Sequence, residues 1–352
     1  MSNFKLKNNR FLSNFYVSVS NGVGVVLESS QDWSQKYVDN RWINIQKQQR
    51  RYSTSKKVNI NPSFVSGFTD AEGCFSLSII RNKKMKAGWH VMQSFQISLH
   101  QKDKALLEQI KSYFGVGHLS NNGPTLIQYR VQSVKDFKII IDHFDRFGLI
   151  TQKRADYELW KQAVEIMEQK EHLTEAGLAK IVAIKASLNL GLSEKLKVAF
   201  PAKILPIRRP QVEDILIRDP HWLAGFSSGE CCFYVGITKS TRDQITQVRL
   251  RFELSQHIRD KQLIKSLVGF FDGCGNVYLN RGAIYFAVGK FEDIYNKIIP
   301  FFKKYPILGV KSQDLADFCR VAELMKEKRH LTGEGLEQIR NIKKGMKKGR
   351  GE

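Results

Sequence analysis

Acidic residues are the scarce charge in this sequence: 34 Asp and Glu against 56 Lys and Arg leave a formal charge of +22 on 352 residues. Long hydrophobic runs are missing altogether. No stretch approaches the ~18 consecutive apolar residues that a membrane-spanning helix requires, so no membrane partner is expected. Cysteine is sparse: Cys74, Cys231, Cys232, Cys274 and Cys319 form an odd, scattered set with no C-x-x-C pair and no zinc-like Cys/His spacing. That excludes a disulfide framework and reads as free thiols in a reducing compartment. Proline is also sparse, eight in all, and three of them (Pro201, Pro206, Pro210) fall in one stretch. Apolar residues, by contrast, make up 42% of the chain, enough for two packed domains of ordinary size. Excess positive charge speaks of partners rather than fold, and nucleic acid is favoured over an anionic membrane surface.

Self-similarity at long period is the strongest feature. NPSFVSGFTDAEGCFSLSI (Asn61 to Ile79) matches DPHWLAGFSSGECCFYVGI (Asp219 to Ile237), and FQISLHQKDKALLEQI (Phe95 to Ile110) matches FELSQHIRDKQLIKSL (Phe252 to Leu267). Further on, the segment from Lys153 into EHLTEAGL (Glu171 to Leu178) matches that from Lys311 into RHLTGEGL (Arg329 to Leu336). Two copies at a spacing near 158 residues, as between Lys153 and Lys311, mean a duplicated domain rather than a solenoid. The expected organisation is a basic N-terminal extension over 1–60, a first domain over 61–190, an ordered linker over 191–218 that includes the three prolines, and a second domain over 219–352. The extension holds ten Lys and Arg against three acids and ends in QQRRYSTSKK. Basic, Ser-rich and acid-poor, it resembles a mitochondrial presequence, which sets the expected location; a basic arm or the remnant of an upstream reading frame is the alternative.

Periodicity gives the fold class. Phe75, Leu77 and Ile79 alternate with Ser76, Ser78 and Ile80; Phe95, Ile97 and Leu99 alternate with Gln96, Ser98 and His100; Leu250, Phe252 and Leu254 alternate with Arg249, Arg251, Glu253 and Ser255. These patterns predict half-buried strands. Helical spacing appears at Leu106, Leu107, Ile110, Tyr113 and Phe114, and at Tyr157, Trp160, Val164 and Met167. Each half therefore reads as α+β, with a sheet that turns one apolar face to its helices and leaves one polar, basic face for a partner.

Two nine-residue segments carry the chemistry: VSGFTDAEG (Val65 to Gly73) and LAGFSSGEC (Leu223 to Cys231). With these the chain resembles the LAGLIDADG homing endonucleases in their two-repeat, single-chain form, and more closely their fungal mitochondrial branch; the resemblance covers roughly residues 60–350. It implies two pseudo-symmetric halves, each with a curved antiparallel DNA-binding sheet backed by helices. It also implies a monomer that cuts both DNA strands across the minor groove, one active site per strand, by Mg²⁺-dependent hydrolysis, with Mn²⁺ as a substitute.

The residues support that reading independently. Gly67 and Ala71, and likewise Gly225 and Gly229, lie four apart on one helical face. Small residues at that spacing allow two helix backbones to approach closely. Each helix ends in a carboxylate, Glu72 or Glu230, which opposes the macrodipole and calls for a cation nearby. Two such carboxylates brought together repel unless divalent metal sits between them and the scissile phosphates, and an all-oxygen set suits Mg²⁺. By resemblance, the carbonyls of Ala71 and Gly229 complete the metal shells, and Lys153 and Lys311 stand near the scissile phosphates to stabilise transition-state charge. Asp70 faces Ser228 in the repeat and is expected to cap or pack rather than ligate. Cys231 stands where the motif has Gly; if that position were left-handed, a side chain would cost about 1 kcal/mol and weaken the second site. His100 and His257 read as strand-end packing or phosphate contacts, and Gly115, Gly117, Gly273 and Gly275 as turns.

Outward strand positions are the candidate DNA contacts, because a strand pair can read base edges in the major groove. In the first half they are Ser76, Ser78, Asn82, Ser94, Gln96, Ser98, Gln128, Arg130 and Gln132; in the second, Tyr234, Thr238, Ser240, Arg249, Arg251, Glu253, Ser255, Asn280 and Tyr285. Lys83, Lys84, Lys86, Lys239 and Arg242 suit phosphates. Since the halves differ in these residues, the expected target is long and asymmetric double-stranded DNA. Intron RNA, bound by a maturase of the same fold, is the alternative partner, and a DNA-binding relic that no longer cuts is a third reading motivated by Cys231.

Overall fold

The computed structural model describes residues 60–200, 205–239 and 246–346. Residues 1–59 of the N-terminal extension, Ser240 and Arg242 lie outside them. All five cysteines lie within and are free thiols. No helix of the described residues is long and apolar enough to cross a membrane.

The first half opens with α1 (Pro62–Glu72). Pro62 supplies a preset φ at its start, and Asn61 caps it by accepting from Ser63 N–H at 2.8 Å. The chain passes directly into β1 (Gly73–Arg81), then β2 (Trp89–His100), α2 (Lys104–Phe114), β3 (His118–Asn121), β4 (Leu126–Val131), α3 (Val134–Arg146), α4 (Lys153–Glu168) and α5 (Glu175–Ser187). The connecting segment holds a short helix, α6 (Glu194–Ala199). The second half repeats the order: α7 (Pro220–Glu230), capped by Asp219, β5 (Cys231–Lys239), β6 (Thr246–His257), α8 (Lys261–Phe270), β7 (Asn276–Asn280) and β8 (Ala283–Val288). It ends with α9 (291–304, with a π-helical stretch at Ile294–Ile298), α10 (Lys311–Lys326) and α11 (Gly333–Gly345).

The two four-stranded sheets are antiparallel, with strand orders β1-β2-β4-β3 and β5-β6-β8-β7. Alternation fixes which face is covered. Phe75, Leu77 and Ile79 are buried beneath the helices, while Cys74, Ser76 and Ser78 line the opposite face. Phe75 packs against Phe95, Phe144, Tyr157 and Trp160 with ring centroids 5.3–5.5 Å apart. Its counterpart Phe233 packs against Phe252, Phe302 and Phe318 at 5.3–5.7 Å. Burial of each such ring stabilises by roughly 2–3 kcal/mol and locks α3 and α4, or α9 and α10, onto the sheet.

Helices α1 and α7 cross at the centre. A Cβ on Gly67 would stand 1.9 Å from the carbonyl oxygen of Trp222, and one on Gly225 would stand 2.1 Å from that of Phe64. Backbone meets backbone here, so nothing larger than glycine fits. The connecting segment is tied to the first half: Arg209 forks onto the buried Asp156 carboxylate at 2.7 and 2.9 Å and donates to the carbonyl of Gln152 at 2.9 Å. Such a bidentate pair holds orientation as well as charge.

Candidate active site

The close crossing delivers the last residues of α1 and α7, Glu72 and Glu230, to one place. A Cβ on Gly229 would lie 2.5 Å from the Ala71 Cβ and 3.1 Å from Glu72 Oε1, so the two helix ends are in contact. A cavity of about 310 Å³ opens beside them, lined by Glu72, Gly229, Lys311, Ser98 and Asp103 among others. Burial, and then the charge of Glu72, hold the Glu230 carboxyl above its ordinary pKa, against the pull of Lys153 and Lys311.

Those lysines answer the problem of an acid at a helix C-terminus. Lys153, first residue of α4, donates from Nζ to the carbonyls of Thr69 at 2.9 Å and Ala71 at 3.1 Å. Lys311, first residue of α10, donates to the carbonyl of Gly229. The Ala71 and Gly229 carbonyls belong to the last turns of α1 and α7, where main-chain donors run out, whereas Thr69 O also accepts from Gly73 N–H. Burial lowers the Lys153 pKa, while Asp70, Glu72, Cys74 and Glu230 pull it back up.

Asp70 and Ser228 do the same task by different chemistry. The Asp70 carboxylate is buried and accepts from Ile150 N–H at 2.9 Å, Thr151 N–H at 3.3 Å, Thr151 Oγ1 at 2.5 Å and Trp222 Nε1 at 2.9 Å. Its pKa is pushed up to about 6 by burial. It therefore holds the loop that ends at Lys153. Ser228 donates to Ala224 O at 2.8 Å and accepts from Leu308 N–H at 3.1 Å, holding the loop that ends at Lys311.

Among the described residues no three His, Cys, Asp or Glu side chains cluster tightly enough to hold a metal by themselves. What the helix ends present is two carboxylates and the carbonyl oxygens of Ala71 and Gly229, each carbonyl already accepting from a lysine. Hard oxygen donors and two converging carboxylates, one of them disfavoured in its charged form by the other, fit a hard divalent cation that keeps phosphate and water oxygens in its shell.

One expectation needs correction. Cys231 is extended (φ −82°, ψ 161°), as Gly73 is (φ −75°, ψ 155°), so the left-handed penalty does not arise. Gly73 is needed for another reason: a Cβ there would lie 2.5 Å from Thr69 Cγ2. The second half has Ser227 in place of Thr69, which lacks that methyl. His100 and His257 cap turns, each Nδ1 accepting a backbone N–H two residues on at 3.2 Å. Gly115, Gly117, Gly273 and Gly275 all have positive φ, in keeping with turns.

The register puts the candidate DNA contacts on one face of each sheet. Ser76 pairs with Ser94, Gln96 with Arg130 and Ser98 with Gln128 in the first sheet; Tyr234 pairs with Arg251 and Ser255 with Tyr285 in the second. Thr238, Arg249, Glu253 and Asn280 share that second face by alternation. Ser94 and Gln128 are nevertheless buried, because their neighbours cover them: Ser94 donates to Gln96 at 3.4 Å and Gln128 to Ser98 at 2.8 Å. Asn82 is engaged in the turn after β1, accepting from Lys84 N–H at 3.0 Å, and Gln132 lies just past β4, exposed. Nε of Arg130 and of Arg251 are buried donors without a partner in the protein. Tyr278 was missed: it stacks on Tyr285 at 5.0 Å, and its hydroxyl bridges Arg251 and Glu253. The alternation of Asn276, Tyr278 and Asn280 was the available signal. Asp103 and Asp260, in the repeated D-K after the second strand, were also missed.

Comparison with known proteins shows the family. The LAGLIDADG endonuclease family model matches residues 65–164 and again 223–322. Probable intron-encoded endonuclease 2 of Neurospora crassa is 41% identical over 304 residues, covering 82% of this chain and 66% of that protein. Probable intron-encoded endonuclease 3 of the same organism is 38% identical over 324 residues, 90% of this chain and 60% of that protein. This chain thus spans about 60–66% of the length of those curated relatives. Among solved structures, I-SmaMI bound to cleaved DNA superposes with a TM-score of 0.81 at 44% identity, covering 83% of this chain and 98% of that one. I-CpaMI bound to uncleaved DNA gives 0.79 at 46%, with 82% and 99% covered.

Proposed function

Because the chain belongs to the LAGLIDADG endonuclease family, we propose that it is a site-specific DNA endonuclease that hydrolyses both strands of a long asymmetric duplex. The observation that carries this is the pair Glu72 and Glu230 at two helix ends in contact, with a lysine on the carbonyls of each helix end. A protein built only to bind would gain nothing from bringing two carboxylates together beneath a surface meant for phosphates.

Glu72 and Glu230, with the carbonyls of Ala71 and Gly229, would hold Mg²⁺ or Mn²⁺. When bound, the ion polarises the scissile phosphate and acidifies the attacking water. The chain's own residues do the rest. The carboxylates orient the reacting groups at the helix ends. Lys153 and Lys311 place positive charge where the phosphorane oxygens gain negative charge. The two polar sheet faces grip the duplex through their outward side chains. The first face offers Ser and Gln and the second Arg, Tyr and Glu, which supports an asymmetric target read by a single chain. Relatives named as intron-encoded, including a protein of ND4 intron 1 of Podospora anserina, support an intron-homing role and a mitochondrial location.

The test is incubation of the full-length protein with an intron-free copy of the host mitochondrial genome in Mg²⁺, Ca²⁺ or EDTA. A single Mg²⁺-dependent double-strand cut is the expected result. Folded protein that binds this DNA and leaves it intact would reduce the reading to a binding relic, and capture of intron RNA instead would favour the maturase.

A further inference from the structure

An aspartate stands at the N-cap of α2 and another at the N-cap of α8, and neither Asp103 nor Asp260 caps its own helix. That is the usual use of Asp at such a position. Both carboxylates reach into the opposite half instead. Asp103 Oδ1 accepts from the backbone N–H of Val310 at 2.7 Å, and Asp260 Oδ1 accepts from that of Gln152 at 2.7 Å. Gln152 and Val310 are the residues immediately before Lys153 and Lys311. Neither provides a side-chain cap for α4 or α10, so the aspartate of the other half supplies the acceptor and the negative charge that a helix N-terminus favours. The surroundings are shaped for this contact. His100 and His257 hold the turns that aim the aspartates. Gly309, at φ +74°, leaves space where a Cβ would come within 2.4 Å of Asp103 Oδ1.

We propose that Asp103 and Asp260 are positioning residues acting across the pseudo-two-fold axis, each setting the entry of the helix whose first residue is the active-site lysine of the opposite half. The proposal rests on the endonuclease reading above and adds a crossed dependence: the turn after β2 governs Lys311, and the turn after β6 governs Lys153. Displacement of a charged group by about 1 Å can slow a reaction on the order of 100-fold.

The experiment uses full-length protein and a duplex bearing its cut site, with each strand end-labelled separately, in Mg²⁺. Asp103→Ala should slow the strand that Lys311→Ala slows, and Asp260→Ala the opposite strand, the one that Lys153→Ala slows, each on the order of 10- to 100-fold. Asp103→Asn and Asp260→Asn keep an acceptor oxygen and should recover most of the rate. Thermal melts accompany every variant; simple loss of folded protein would slow both strands in proportion. Should an alanine variant fail to fold, Asp103→Ser and Asp260→Ser, whose hydroxyls are too short to reach the backbone N–H of the opposite half, should show the same strand bias, and equal cutting of the two strands by them overturns the clasp. Equal slowing of both strands, or the same strand for both aspartates, overturns the clasp and leaves the endonuclease reading standing. Wild-type protein that cuts no DNA overturns both.

Discussion

The two halves set a lysine on the carbonyls of equivalent helix-end residues, Ala71 and Gly229, with different supports. In the first, the buried carboxylate of Asp70 gathers the loop before Lys153 through four donors, one of them the indole of Trp222 from the other half. In the second, Ser228 manages one backbone N–H before Lys311. The helix ends behind them differ too: Thr69 demands Gly73, while Ser227 tolerates Cys231. The cores differ as well. Buried His143 bridges Ser66 and Tyr113 in the first half, at 3.1 and 2.9 Å, where the repeat spacing puts Phe301 in the second. What is duplicated without change is the carboxylate, the lysine and the crossed aspartate. A reaction on both strands, as proposed, would require matched chemistry at both ends, whereas the scaffolding has only to be stable in its own surroundings.

The comparison breaks most visibly at the carboxylates. Glu72→Gln and Glu230→Gln should each convert double-strand cutting into nicking, of opposite strands, with a loss of at least ~100-fold on the affected strand. Strand-resolved denaturing gels check this, and equal loss on both strands from one substitution would mean that the helix ends form a single centre.

Next come the crossing glycines, where the halves should behave alike. Gly67→Ala and Gly225→Ala each force a Cβ into a carbonyl oxygen of the partner helix, at 1.9 and 2.1 Å, and should cost about 3 kcal/mol of unfolding free energy. Denaturant titration measures it; a loss below ~1 kcal/mol at either position would show that the helices can separate without penalty.

An acid titration sharpens the contrast between the cores. Burial pushes the His143 pKa down to about 3 from 6.5. The folded state thus binds this proton more weakly than the unfolded chain does. The stability contributed by the neutral ring is complete above about pH 6.5 and declines as pH falls toward 3, by about 2 kcal/mol at pH 5. His143→Phe, which installs the residue of the second half, should remove that slope between pH 6.5 and 5. An unchanged slope would locate the acid sensitivity elsewhere.

The smallest effects belong to the motif ends. Cys231→Gly should cost about 1 kcal/mol through lost packing and added backbone freedom. Gly73→Ala should cost about 1–2 kcal/mol through the clash with Thr69, part of which Thr69→Ser should restore. Thermal denaturation of the single and double variants checks the pairing.

Much of this was legible in the primary structure. Alternation at Phe75, Leu77 and Ile79 marked the covered face of a strand, and small residues four apart marked a close helix crossing, because both signals are local and set by backbone period. Glu72 and Glu230 were singled out since the repeat placed them equivalently. Contacts between distant segments were not legible. Asp70 could be judged a packing residue, yet its hold on the Lys153 loop depends on a neighbour 80 residues away. Asp103 carries the signature of an N-cap for its own helix and serves one in the other half. Burial of Ser94 and Gln128 likewise comes from neighbours that alternation does not specify. The sequence by itself determined the duplicated α+β halves, the polar faces and the two terminal carboxylates, because period and repeat are properties of the chain read in order. Only the tertiary structure decided which groups hold the lysines and on which side of the axis, because that follows from how tightly two glycine-faced helices cross and what their crossing brings within hydrogen-bond reach.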